Sequence, residues 1–184
     1  MRIVAGRLRG RQFEAPQGLA TRPTTDKVRE AVFNALGSLD LVADARVADL
    51  FAGSGGLGLE ALSRGAAHVT FVEQDRGAIG VLAANLRTLG VDSVSRVVRG
   101  DVLAVASGLD VDLALADPPY GFDRWGELLR SVRCDFVVAE ADRPLDDIEG
   151  WDPVRSRRYG RTWVTFLRRG TSSSPGVSSV APLR

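Results

Sequence analysis

The stretch LALADPPYGFDRW, residues 113–125, ends an apolar run in an acid, two prolines and an aromatic. Pro118 biases Asp117 toward an extended backbone, and Pro119 does the same to Pro118. Both rings fix φ and remove amide donors, so this turn is stiff and rich in acceptors. The Asp117 carboxylate and the Pro118 carbonyl make a bracket for both hydrogens of a planar amino group, with the flat face of Tyr120 beside it. Held in that way, the nitrogen is pushed toward a pyramidal shape, and its lone pair is freed to attack a methyl group. For these four residues alone, a proline-ended strand with a partly buried tyrosine is the plainer alternative.

A second set of residues lies upstream. VADLFAGSGGLGLEAL fits G-x-G-x-x-G through Gly53, Gly55 and Gly58, and Glu73 follows fifteen residues later in FVEQD. Glycines at a strand-to-helix turn let the chain bend tightly and let a ligand approach the helix N-terminus. An acid after the second strand suits the two hydroxyls of a ribose, so a nicotinamide dinucleotide is one reading. Asp49 favours another. It stands on the strand itself, in D-x-F-x-G-x-G, where a pyrophosphate would be repelled and a cation attracted. The α-amino group or sulfonium of S-adenosylmethionine is such a cation. Asp101, in RGD, would then reach an adenine amino group.

These residues work together only if the chain brings strand ends side by side. Strands are predicted at RVADLF (46–51), HVTFVE (68–73), SRVVRGD (95–101), VDLALAD (111–117) and CDFVVAEA (134–141). Helices are predicted over DKVREAVFNAL, LGLEALSRG, RGAIGVLAANLRTLG and WGELLRSV. Thr25 or Asp26 would cap the first, which would present Val28, Val32, Phe33 and Leu36 on one face and close at Gly37. Strand–helix alternation with doubly buried strands gives an α/β fold with a doubly wound, mostly parallel sheet. DPVRSRRYG and TWVTFLRRG, turning at Gly160, read as an antiparallel hairpin that completes the sheet. Residues 2–14 read as a short twisted β-hairpin, 15–25 as a loop, and TSSSPGVSSVAPLR as a disordered tail.

Composition narrows the chemistry. A chain of 184 residues with 45% apolar and 26% charged residues suits one domain plus a small appendage. It contains no apolar run of the roughly 20 residues that cross a bilayer. One cysteine, Cys134, and no signal-peptide pattern at the N-terminus lead to the expectation of a reducing cytoplasm. The single histidine, His68, and the single cysteine leave no Cys/His zinc site, and no metal is expected. The net charge of +1 conceals basic ends: Arg2, Arg7, Arg9 and Arg11 precede the first acid, and RSRRYGRTWVTFLRR contains none. Basic ends fit a polyanion bound through its phosphates, or a solvated surface.

Taken in order, RIVAGRLRGRQF, RPTTDKVREAVFNAL, DLFAGSGGLGLEALSRGA, FVEQD and DPPY resemble the RsmD family of bacterial methyltransferases. The resemblance runs from residue 2 to about 169 and leaves out the serine-rich tail. It implies a Rossmann-like class I methyltransferase fold, with residues 1–23 as an RNA-contacting extension, 24–170 as the catalytic domain and 171–184 as the tail. The implied reaction is methylation of a guanine N2 in 16S ribosomal RNA, free or within an assembling small subunit, by a cytoplasmic monomer using S-adenosylmethionine. By position, Asp117, Pro118, Pro119 and Tyr120 would form the catalytic bracket. Asp49, Phe51, Gly53, Gly55, Glu73, Gln74, Asp101, Val102 and Thr24 would contact the cofactor. Arg2, Arg7, Arg9, Arg11, Arg22, Lys27 and Arg29 would contact RNA, against the alternative of a helix cap and solvated charges. DNA-adenine and protein-glutamine methyltransferases share the bracket, and a nicotinamide oxidoreductase or a non-catalytic RNA-binding module stays open.

Overall fold

The structure, a computed structural model, describes residues 1–15 and 25–170. Among these the elements run α1 (Asp26–Ser38), β1 (Arg46–Leu50), α2 (Gly56–Ser63), β2 (His68–Glu73), α3 (Arg76–Leu89) and β3 (Ser95–Arg99). They continue with α4 (Val102–Val105), β4 (Leu113–Ala116), α5 (Trp125–Ser131), β5 (Phe136–Ala141), β6 (Trp151–Tyr159) and β7 (Thr162–Arg169). The seven strands form one sheet in the order β3-β2-β1-β4-β5-β7-β6. β1 to β5 are parallel, and β7 runs antiparallel to both β5 and β6. The strand order reverses at β1, between β2 and β4, which opens a crevice at the carboxyl ends of the strands. None of the described helices is long and apolar enough to cross a membrane.

Two apolar layers cover the sheet. One contains Val32, Phe33 and Leu36 of α1, Leu59 and Leu62 of α2, and Leu82 and Leu86 of α3; the other contains Val102, Trp125, Leu128 and Leu129. Alternation assigns each strand residue to one of them. Val47 faces the first layer and Ala48 and Leu50 the second, so Asp49 belongs to the first. The same parity, read from Phe71, Leu115 and Val138, puts Glu73, Asp117 and Glu140 on that face as well. Four acids at the carboxyl ends of β1, β2, β4 and β5 therefore share one side of the sheet.

Three expectations need correction. Gly37 does not end α1; the helix continues to Ser38 and closes at Leu39, and Asp40 then takes φ 55°. The third strand stops at Arg99 rather than at Asp101, because Asp101 instead caps the short α4, its side chain accepting from the Leu103 amide at 2.8 Å. The N-terminal hairpin shows one isolated bridge, Arg2 to Gln12, with the Ile3 amide donating to the Arg11 carbonyl at 3.0 Å. It adds Ile3, Leu8 and Phe13 to the same core as α1 to α3, so its described part packs with the sheet and its helices rather than standing apart as an extension. Residues 16–24 and 171–184, with Arg22, Thr24 and the serine-rich tail, lie outside the described residues.

Glu60 fastens that hairpin. Its carboxylate, fully buried on α2, accepts from the Val4 amide at 2.8 Å, the Ala5 amide at 3.0 Å and Arg64 Nε at 2.8 Å. Arg29 Nε lies 3.5 Å away on α1. Ser63 adds an oxygen for the Leu8 amide at 3.0 Å, and its carbonyl accepts from the Arg7 amide at 2.8 Å. Gly6 is required where the hairpin touches down: its φ is +80°, and a Cβ there would lie 1.9 Å from the Ser63 carbonyl oxygen. Glu60→Ala leaves a buried guanidinium without this counter-charge and strips two amides of their acceptor. It is expected to cost about 3–5 kcal/mol in urea unfolding. An unchanged midpoint would show that the carboxylate contributes nothing to the fold.

Candidate active site

β1 is followed by Phe51, whose φ of 66° turns the chain out of the sheet, a conformation unusual for a bulky residue. The Ala52 amide then bonds the Val72 carbonyl at 2.9 Å, and Gly53 and Gly55 follow at φ 54° and 88°. Glu73 pins the loop from the neighbouring strand. One carboxylate oxygen accepts from the Gly53 amide at 2.8 Å; the other accepts from the amides of Gln74 and Asp75, both at 2.8 Å. Asp49 accepts from the Gly58 amide at 2.8 Å in the first turn of α2. Gly58 has no room for a side chain, since a Cβ would come within 2.2 Å of the Phe71 ring. The motif thus sets the distance between α2 and the sheet, and that distance lets Asp49 reach the helix.

Two cavities open at this edge. The first, about 590 Å³, is lined by Asp49, Phe51, Gly53, Glu73, Gln74, Asp101 and Val102, all anticipated from the sequence. Val72, Leu103 and Phe122 add apolar walls. Gly55 is the exception: it does not line the cavity, and a Cβ there would meet Leu82 at 2.6 Å, so it serves packing of α2 on α3. The second cavity, about 720 Å³, is lined by Asp117, Pro118, Pro119 and Tyr120 together with Lys27, Glu140, Arg157, Arg158 and Arg161. Asp117, Pro119 and Phe122 line both. Past Pro119 a turn closes with the Phe122 amide on the Pro119 carbonyl at 3.2 Å, with Gly121 at φ 82°, and leaves Tyr120 65% exposed.

The basic residues expected at a polyanion surface separate. Lys27 is exposed on the second cavity. Arg29 is not at the surface: its side chain is 1% exposed, and Nη2 donates to the Arg2 carbonyl at 2.6 Å and to Asp26 at 2.8 Å. Its spacing of three, four and seven residues from Val32, Phe33 and Leu36 puts it on the buried face of α1, a signal that the charge of the residue obscured. Arg2 pairs with Asp26 at 3.1 Å, and Arg11 donates to the Thr88 carbonyl at 2.8 Å. Arg7 and Arg9 are exposed, but their segment docks on Ser63, at the end of α2 remote from the crevice. Glu140 was not anticipated, and Arg157, Arg158 and Arg161 were anticipated only as part of a basic end suited to a polyanion, not as neighbours of Asp117. A strand ending in an acid, VVAEA, was the available signal for Glu140.

Burial pushes the Asp49 carboxyl well above the usual carboxylate range; the Gly58 amide opposes this, and the charges of Asp117 and Glu73 add to it. A concentration of negative charge at the wall of a partly apolar cavity suits a cation attached to an apolar and hydroxyl-bearing body. At Gly53 a Cβ would meet nothing within 4 Å, which leaves the loop open toward the cavity. These features fit the sulfonium, amino group and adenosine of S-adenosylmethionine.

Residues 1–168 match the profile of the family described as conserved hypothetical protein 95. The chain belongs to this family, the RsmD family. Over 122 residues it is 43% identical to ribosomal RNA small subunit methyltransferase D of Escherichia coli, covering 65% of this chain and 60% of that protein. The protein of that name in Haemophilus influenzae is 34% identical over 180 residues, covering 87% and 89%. The solved structure of a hypothetical protein of Thermus thermophilus superposes with a TM-score of 0.75 at 32% identity, over 91% of this chain and 99% of that one. This RsmD-family chain has the α/β Rossmann-like methyltransferase fold.

Because the folded chain raises the Asp49 pKa, its contribution to stability is full below the ordinary carboxylate range and declines as pH rises through the folded-state value. Asp49→Asn keeps an oxygen for the Gly58 amide and removes the charge. The ligand-free variant is expected to unfold at the same or higher urea concentration than the parent at pH 8, with a flatter pH profile. A lower midpoint at pH 8 with an unchanged slope would contradict the electrostatic account.

Proposed function

We propose that this RsmD-family chain uses S-adenosylmethionine to methylate the exocyclic N2 amine of a guanine in small-subunit ribosomal RNA. The observation that carries the reading is the shared wall: Asp117 and Pro119 stand between an acid-lined cavity suited to a cationic donor and a second cavity open to a large substrate. The names of the relatives support RNA as that substrate. Guanine presents hydrogen-bond donors at N1 and N2, and of the three carboxylates that line the second cavity, Asp117 and Glu140 are the less exposed, with Asp142 at the rim.

When bound, the cofactor supplies a methyl group already activated by its sulfonium, so the protein has no need of a covalent intermediate. The chain's residues hold and orient. Asp49, Glu73 and Asp101 would hold the donor's cationic, ribose and adenine groups, with Phe51, Gln74 and Val102 completing the wall. Asp117 and the Pro118 carbonyl hold the two N2 hydrogens, and Asp117 accepts or relays the proton that the amine gives up. Tyr120, exposed at the corner of its turn, stacks on a base that has left its own stack to enter the cavity. Fixed placement of the amine accounts for much of the rate.

Asp117→Ala is expected to lower methyl transfer by about 10²–10⁴-fold. Affinity for S-adenosylhomocysteine, read by calorimetry, should change only a few-fold. Radiolabelled cofactor offered with free ribosomal RNA, isolated small subunits or DNA, followed by nucleoside analysis, tests the substrate. N2-methylguanosine from the RNA or subunit samples is the expected product. Methyladenine from the DNA sample, or full activity in the Asp117 variant, would overturn the assignment.

A further inference from the structure

The second cavity has a distinct polarity. Asp117, half-buried, and Glu140, 7% exposed, lie toward the sheet, whereas Arg157, Arg158, Arg161 and Lys27 are exposed around the opening. Asp142, also exposed, is the acid among those rim residues. Glu140 makes an interaction within the protein, and a carboxylate has lone pairs beyond one partner. Arg161 lies in the turn joining β6 and β7, and Arg157 and Arg158 lie in the last three residues of β6 that lead into it. Since β6 runs alongside β7, which is antiparallel to β5, this turn is at the carboxyl edge of the sheet, where the crevice opens. Arg157 lies 5.4 Å over the Tyr159 ring, and Arg158 Nε donates to the Gly160 carbonyl at 2.9 Å, so two of the guanidiniums are oriented. From Pro153 to Gly170 the chain has no acid to neutralise them.

The N-terminal arginine tip is elsewhere. α2 begins at the crevice and runs about 12 Å away from it at 1.5 Å per residue. The Arg7 amide bonds Ser63, the last residue of that helix. Both tips carry exposed arginines, and one of them borders the cavity that holds Asp117.

We propose that Arg157, Arg158 and Arg161 of the β6–β7 turn bind the RNA phosphates flanking the nucleotide whose base enters the cavity against Asp117. This rests on the RNA-methylation reading above. A nucleotide entering base-first would set its amino donors against acids and leave its phosphates among arginines, matching the polarity of the cavity. Arginine suits the task, because its planar fork addresses two phosphate oxygens at once.

The test uses the full chain with R157A/R158A/R161A, R157K/R158K/R161K and R7A/R9A. The substrate is unmodified small-subunit RNA, free and in isolated subunits. The triple alanine variant should raise KM for RNA at least tenfold and change kcat less than threefold. Its salt dependence of binding should be shallower by about two in log–log slope. Affinity for S-adenosylhomocysteine should not move. The lysine variant, which keeps the charge and loses the fork, should recover part of the loss, and R7A/R9A should shift KM less than threefold. KM within threefold of the parent in the triple alanine variant, or an equal shift in R7A/R9A, would overturn the proposal. RNA retention on filters is read in parallel. If the parent retains RNA but transfers no methyl, the methylation reading fails and the turn is judged on retention; if the triple alanine variant methylates and binds normally, the turn assignment alone fails.

Discussion

Carboxylates that share a face and an edge repel one another, and the active region of this chain depends on holding several of them there. Burial raises the Asp49 pKa, and the nearby charges of Asp117 and Glu73 add to the rise. Backbone amides offset the cost. Glu73 receives three and Asp49 one, all at 2.8 Å, from the glycine loop, its helix and the chain just after β2. The loop is therefore held by the acids as much as it serves a ligand, and the unfavourable charge density that results is what a cationic donor would relieve. A site strained in this way stays poised for one sign of ligand.

Glu60 solves a similar problem at the back of α2. Its buried carboxylate takes two hairpin amides and Arg64, beside Arg29. Through Arg29, this network reaches Asp26 at the start of α1 and the Arg2 carbonyl. The first turn of α1 borders the second cavity through Thr25, Lys27 and Val28. The N-terminal hairpin thus braces the helix that flanks the opening, a structural role for a segment whose composition suggests only a basic surface. Met1 carries the brace to the cofactor side, since it lines the first cavity and its amino group donates to the Phe13 carbonyl at 3.0 Å.

The two cavities meet at a wall of stiff residues. Pro118 and Pro119 limit the backbone, and Phe122 is wedged between Phe51 and Trp125 with ring centroids 5.2 Å away on either side. Phe51 leads from β1 and Trp125 opens α5, so the wall is tied to the sheet and to the second apolar layer. A rigid partition would give a group bound on one side a fixed position with respect to one bound on the other.

Most of the sheet was legible in the residue pattern, because doubly buried strands leave dense Val, Leu, Ala and Phe runs and parallel pairing follows from the helices between them. Asp49, Glu73 and Asp117 at the carboxyl ends of β1, β2 and β4 were legible for a related reason, since an acid stands out at the end of a dense apolar run; Asp101 follows β3 and caps α4 rather than ending the strand. What local sequence could not contain was direction. Arg29 and Arg2 look alike in a basic stretch, yet one is enclosed by Asp26 and Glu60 and the other is largely exposed. Gly53 and Gly55 look alike in a motif, yet one borders the cavity and the other packs against Leu82. Two arginine tips look alike in composition, and only the antiparallel return of β7 brings one of them to the crevice. Residue type determined which chemistry was available; the path of the chain in three dimensions, through contacts between residues distant in sequence, decided which charges meet it.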